Sequence, residues 1–474
     1  MRLIKNALSK IKEMLEKAKS IEVPGFIEWI LFGLIAVFIF TCFIYWDIFV
    51  TTTHTVNYIE SIFHGKILDL YKANYNFIVD GSVSSVSYDI PIYFLFIIWD
   101  LPLWIAKHFF NVNIMTNFFC MLWMKGILIL FLYLSSRVIK NICEEIGIKK
   151  SNIKWAILIF VSSPIVFSSL FILSQYDIIT IYFMLLGILA YTRKDENKFL
   201  FWFAVAIPMK LFALFVFIPL LLLEEKRVLN IITKFLTSLS LLVGFRLVAT
   251  MMPYYSESTS GFHNYMTDKL LNSSVLKINS GYASLFIVAY VIICVFCYMK
   301  QLKSKDDFNK YAIYIPFVVF SAFFTFVNFH PYWIIYLTPF FTLILFKNGK
   351  YFKVNMLIDI AFNIASLFTI TNNYTACFGA KQVDGMLISK IFGAQNLNRV
   401  KYESLSNVYA AFQLKKYLPA FYGVFLAALI CMVIINLPKF NDKNQKIEIE
   451  RSAVILRMLI IMPFALLLIY CYFS

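Results

Sequence analysis

Apolar runs of 13 to 25 residues recur from one end of the chain to the other, each closed by a short polar segment. The runs fall at 27–49, 91–107, 115–139, 153–172, 178–192, 199–223, 235–253, 281–299, 311–329, 334–346, 354–371, 417–436 and 453–473. A helix needs about 20 such residues to cross some 30 Å of hydrocarbon. The pattern therefore predicts an all-α polytopic membrane protein, a bundle of about 11–13 transmembrane or re-entrant helices with external juxtamembrane helices. Composition agrees: 61% of the 474 residues are hydrophobic and 15% charged, against about half and a quarter in soluble domains.

The polar segments sort by charge. "KNICEEIGIKKSNIK", "TRKDENK", "QLKSKDDFNK", "KNGK" and "LPKFNDKNQKIEIER" are rich in Lys and Arg and are assigned to the cytoplasm. "ILSQYD", "NFHPYW" and the long segments 50–90, 254–280 and 372–416 are assigned outside. Residues 1–22 carry Lys5, Lys10, Lys12, Lys17 and Lys19 in an amphipathic pattern with no cleavage site, which predicts a cytoplasmic interfacial helix. The formal charge of +16 speaks of membrane orientation, not of nucleic acid. The expected organisation is a cytoplasmic segment 1–26, a membrane module 27–353 and a C-terminal membrane module 354–474.

Two runs resist simple counting. Run 199–223 holds Lys210 as its only charge, two residues after Pro208. One straight crossing would strand that ammonium at mid-bilayer, at a cost of about 3 kcal/mol or more. It would also reverse every later loop. Segments 300–310, 347–353 and 437–452 hold eleven Lys and Arg in 34 residues, while 254–280, 330–333 and 372–416 hold eight in 76. The denser set belongs in the cytoplasm, so 199–223 is predicted to be a re-entrant hairpin broken at Pro208. Broken backbone at membrane depth needs protein or a watery cavity around it. The second run, 91–107, carries Pro91, Pro102, Asp100 and Lys107 and is placed shallowly at the outer surface.

In this topology the breaks in the apolar pattern point outward: Asp47, Gln175-Tyr176-Asp177, Pro208–Lys210, and His330-Pro331-Tyr332-Trp333. After Asp47, Val56, Ile59, Ile62 and Phe63 share one side at helical spacing; His54, Asn57, Ser61 and His64 share the other. That predicts an amphipathic helix on the outer leaflet with its polar face turned to a cavity, or a plain interfacial anchor. Asp47 can equally end a helix, Asp177 satisfy backbone, Lys210 pair with a carboxylate, and His330 with Tyr332 anchor the interface. Cys294 and Cys297, within "VIICVFCYM", read as small packing residues.

The order of these features resembles the polyprenol-dependent GT-C glycosyltransferases, in particular the branch that adds the first mannose to GPI anchors and its bacterial relatives. The resemblance rests on Asp47 after the first span, "HGKILDLY", "YDIPIYFLF", "SSPIVFSSLFILSQYDIITIYFMLLGILA", "AVAIPMKLFALFVFIPLLLL" and "NFHPYWIIYLTPFF", in order over about 45–350. Departures are a single acid in Tyr45-Trp46-Asp47 where the family has Asp-x-Asp, a longer Gly65-to-Tyr71 spacing, Ser174 in place of Gly, and Ala213 near a usual proline. Residues 354–474 lie outside it.

The resemblance implies inverting transfer of a sugar from a polyprenyl-phosphate carrier to a cell-envelope glycan or lipid-linked acceptor, at the external face of a plasma membrane and with the bacterial inner membrane favoured. Asp47 would be the general base, with Asp89 the second candidate. Lys210 and His330 would meet the donor phosphate; Arg399 and Lys401, in the basic segment 372–416 beyond the resemblance, are further candidates from their charge. His54, Asn57, Gln175, Asp177 and Tyr332 would line the substrate. No cofactor is called for, and a divalent metal is doubtful because one carboxylate makes a poor cage. The excess charge of 372–416 suits a lipid phosphate or an anionic polymer, or is simply tolerated in a long loop. "NSS" at 272–274 and "NYT" at 373–375 would be glycosylation sequons in a eukaryotic host. Two other classes fit the composition. A lipid-sugar flippase or transporter would show inverted repeats, and a diphospholipid-dependent polymerase or ligase would need several external arginines.

Overall fold

The computed structural model describes residues 23–79, 82–383, 387–393, 400–438 and 447–474. The chain is an all-α polytopic membrane protein. Among the described residues, eight helices are long and apolar enough to cross a bilayer, a ninth candidate is a pair bent by 65°, and four shorter apolar helices join them. The bent pair is α1, Phe26–Cys42, and α2, Trp46–Phe63. They are followed by α3 Ile90–Phe110, α4 Phe118–Glu145 and α5 Lys150–Val161, which runs on through Pro164–Val166 into a π-helical turn, Phe167–Ile172. Next come α6 Asp177–Thr192, α7 Glu196–Met209, α8 Phe212–Glu224, α9 Val228–Thr250 and α10 Tyr255–Asn272. The chain closes with α11 Leu285–Met299, α12 Lys305–Phe326, α13 Thr338–Lys347, α14 Phe352–Asn373, α15 Leu418–Ile435, α16 Arg451–Leu459 and α17 Ile461–Phe473.

Polar contacts divide the loops between two ends of the bundle. At one end Glu145 takes Lys305 at 2.7 Å and Arg193 at 3.5 Å, and Lys347 reaches Asp306 at 2.8 Å. Asn436 pairs with Asn355 there at 2.9 Å, and Arg451 meets Glu28. At the other end Ile44 N donates to Gln382 O at 2.7 Å, Tyr374 to Asn328 at 3.0 Å, and Arg246 holds Asp89 at 3.1 Å. The segments rich in Lys and Arg share the first end; those poor in them share the second.

The run 199–223 does fold as a hairpin. Lys234 bridges Glu196 at the start of α7 (2.8 Å) and Glu225 just after α8 (2.9 Å), so the two arms begin and end together. The break comes at Lys210–Leu211, two residues beyond the expected Pro208. Proline cannot donate to the carbonyl four residues back, but the helix carries on until Lys210, extended at φ −163°, ends it. Gly187 lets the Phe203 ring press on α6; a Cβ there would lie 2.7 Å from it.

Three other features bear on the sequence reading. The first span ends at Cys42, not residue 49. Phe43–Tyr45 is extended because its N–H groups find other partners: Tyr45 N donates to the Ser174 hydroxyl. Asp47 thus opens α2 instead of closing α1. Second, α3, whose run was placed shallowly, is long enough to span, and its Trp99 stacks on Trp123 near the start of α4 while Trp104 bonds Glu60 of α2 (2.7 Å). Third, two short antiparallel hairpins, β1 Phe77–Val79 with β2 Ser82–Ser84 and β3 Val275–Ile278 with β4 Gly281–Ser284, lie in the loops of the second end. Asn279 turns the latter at φ 53°, a left-handed value asparagine tolerates.

Candidate active site

Two acids open two helices side by side. Asp47 stands in the first turn of α2 and Asp177 in the first turn of α6, where a helix N-terminus favours negative charge. Ser174 brings them together. It adopts φ 52°, in the left-handed region, and aims Gln175 so that its amide donates to the Asp47 carboxylate. A glycine would take that conformation without strain.

Asp177 is spoken for. Lys210, at the hairpin apex, donates to its Oδ1 at 2.6 Å, with the two side chains 8% and 0% exposed. The lysine also faces the rings of Tyr88 and Tyr332, each at 5.6 Å. Asp47 lies within electrostatic reach of both members of the pair.

A cavity of about 320 Å³ opens on Asp47, lined also by His54, Tyr88, Tyr265, His330 and Tyr332. His330 accepts or shares a hydrogen bond with Tyr265 at 3.0 Å and stacks on Tyr332. Burial, and then the nearby cations Lys269 and Lys210, push its pKa down to about 4, so it stays neutral in mildly acidic water. His54 is buried against the cavity, and neither ring nitrogen makes a well-formed hydrogen bond to a described residue.

A second cavity, of about 380 Å³, shares Ser87, Tyr88 and Phe262 with the first. Its walls are apolar (Phe212, Phe215, Met266, Leu270, Phe323), and Lys210, Arg246 and Lys269 supply its cations. Arg246 is paired with Asp89, and Lys210 with Asp177. Lys269 meets no carboxylate among the described residues; it donates to Asn328 O at 3.1 Å and lies over the rings of Tyr265 and Trp333.

The other residues singled out from the sequence fall as follows. Asp89, the second base candidate, is tied to Arg246 and to Tyr255 at 3.4 Å and lines the apolar cavity instead. Lys210 is not a free cation. Gln175 and Asp177 line neither cavity; they hold Asp47 and Lys210. Asn57 turns away to bond Asn74 at 3.1 Å, fastening the loop after α2. Lys401 lies over the Tyr402 ring, and Tyr402 N bonds Ser474 at the chain's end, away from both cavities. Arg399 lies outside the described residues.

The sequence reading also passed over Lys125. It sits fully buried in α4 and donates to Phe40 O (2.6 Å), Phe43 O (2.5 Å) and Phe171 O (2.9 Å). Those carbonyls end α1 and the π-helical turn, the two elements that lead into Asp47 and Gln175. A cation among helix C-terminal carbonyls is favourable. A charge deep inside an apolar run was the available signal, for Lys125 as for Arg246.

No protein-family model matches the chain, and no curated protein matches it in sequence.

Proposed function

We propose that this chain is a membrane-embedded glycosyltransferase that moves a sugar from a polyprenyl-phosphate donor to a hydroxyl acceptor, with Asp47 as general base. The observation that supports it best is the Asp47 carboxylate, positioned by Gln175 on the wall of a cavity that adjoins an apolar cavity carrying Lys269, a cation with no carboxylate partner among the described residues. A polyprenyl phosphate has a long apolar tail and an anionic head, and the second cavity offers both kinds of surface. Its phosphate would sit against Lys269, with the Lys210–Asp177 pair behind.

In the reaction the Asp47 carboxylate takes the acceptor's hydroxyl proton while that oxygen attacks the anomeric carbon. The bond from that carbon to the phosphate oxygen breaks, its electron pair leaves on the phosphate, and configuration inverts. Lys269 offsets the charge developing there. Neutral His330, fixed by Tyr265, would bond a sugar hydroxyl. The low density of Lys and Arg at the cavity end of the bundle supports a site that faces away from the cytoplasm.

The test is sugar transfer by the purified protein from a synthetic polyprenyl-phosphate sugar, comparing the wild type with Asp47→Asn and Lys269→Met. Loss of transfer in Asp47→Asn with donor still bound, and weakened donor binding in Lys269→Met, support the assignment. Normal turnover in Asp47→Asn refutes it.

A further inference from the structure

A third cavity, of about 730 Å³, lies beyond Tyr265 and Lys269. Its lining differs in kind from the other two: Asn272, Asn328 and Asn373, with Tyr265, Tyr374 and Tyr422. Its one acid, Asp268, accepts from Asn272 at 2.7 Å, and its one base is Lys269, so the charge is balanced. Tyr265 belongs also to the Asp47 cavity and Lys269 also to the apolar one. All three spaces meet at these two residues of α10.

The geometry points to this cavity as the acceptor site, and to a neutral oligosaccharide chain end as its occupant; the assignment rests on the transferase reading above. Side-chain amides and phenols each combine donor and acceptor capacity, which matches hydroxyls that are both. Tyrosine adds flat apolar faces for the C–H sides of sugar rings. The volume falls in the range of about 300–1,000 Å³ typical of ligand sites. Some of the polar groups are already braced: Asn373 donates to the Tyr422 hydroxyl at 2.8 Å, and Tyr374 to Asn328 at 3.0 Å. An anionic polymer is disfavoured, since Lys390 is spent on Thr116 O and Lys401 lies over Tyr402. Asn373, Tyr374 and Tyr422 come from 354–474, the part of the chain outside any resemblance. That segment would then determine which acceptor is used.

The test uses full-length protein in lipid nanodiscs and a panel of neutral tetra- to hexasaccharides of mannose, glucose and galactose. Saturation-transfer NMR reads binding, and transfer from a polyprenyl-phosphate sugar reads KM and kcat. Asn373→Ala and the milder Tyr422→Phe, checked for unchanged melting temperature, are expected to weaken saccharide binding and raise acceptor KM about tenfold or more, with kcat changed far less. Binding that both variants weaken, without any transfer, keeps the cavity as a saccharide site and sinks the transferase reading. Transfer with acceptor KM untouched in both variants overturns the acceptor assignment and spares that reading. Failure of the whole panel to bind also overturns it.

Discussion

At the scale of single residues, the site is a pair of acids given different work, Asp177 buried and Asp47 partly so. Asp177 has its own cation; Asp47 has an amide. Removing one partner of a buried ion pair leaves a desolvated charge and costs about 3–5 kcal/mol, whereas replacing both by apolar groups is often neutral. Asp177→Asn and Lys210→Met should therefore each lower the melting temperature in detergent sharply, and the double variant Asp177→Leu/Lys210→Met should recover most of the loss. A double variant as unstable as the summed singles contradicts the pairing. His330 behaves differently. Its folded pKa, pushed down to about 4 by burial and by Lys269 and Lys210, lies below the ordinary 6.5, so the unfolded chain takes up the proton first. Its contribution to stability is whole above about pH 6.5 and falls as pH drops toward 4. His330→Gln should flatten that part of the stability curve; an unchanged slope would show that His330 titrates normally.

At the scale of elements, what matters is that helices break where the site is built. The α7–α8 apex bonds locally, Ala213 N to Lys210 O and Leu214 N to Leu211 O, while the α1–α2 bend and the π-helical turn before Ser174 release backbone groups that other segments satisfy. Lys125 closes three of them at once. Lys125→Met leaves three buried carbonyls without a partner, at about 1–3 kcal/mol each when none relaxes. The expected result is a large drop in melting temperature. If Lys125→Met melts like the wild type, the carbonyls have found other donors. Much of this scale was legible in sequence. Lys210 in an apolar run betrayed the hairpin, because lipid does not tolerate a stranded ammonium, and "SQYD" betrayed the next break. Lys125 and Arg246 obeyed the same rule. The extended Phe43–Tyr45 link was hidden because it is as apolar as the helix before it; its partners, Gln382 and Ser174, lie far away in sequence.

At the scale of the molecule, alternation of charge along the sequence became two opposed ends of one bundle. Each loop joins two helices that run in opposite directions, so charge density alone sorted most of them. Cavities were not legible in that way. Tyr88, Tyr265, Phe262 and Lys269 come from loops and from α10, where no periodicity points to a common centre, and only packing brings them to Asp47 and His330. If the lysine-poor end faces outward, Asn328→Cys, at an exposed position of that end, should react in intact cells with a membrane-impermeant maleimide, against a background free of exposed native thiols. Labelling only after the membrane is opened would invert the topology. The central claim is that Asp47 takes a proton during sugar transfer. The direct measurement is single-turnover transfer from a polyprenyl-phosphate sugar by wild type and Asp47→Asn, each saturated with donor. A loss of about a hundredfold or more is expected, the scale of general base catalysis, with donor affinity kept. Equal single-turnover rates would contradict the account.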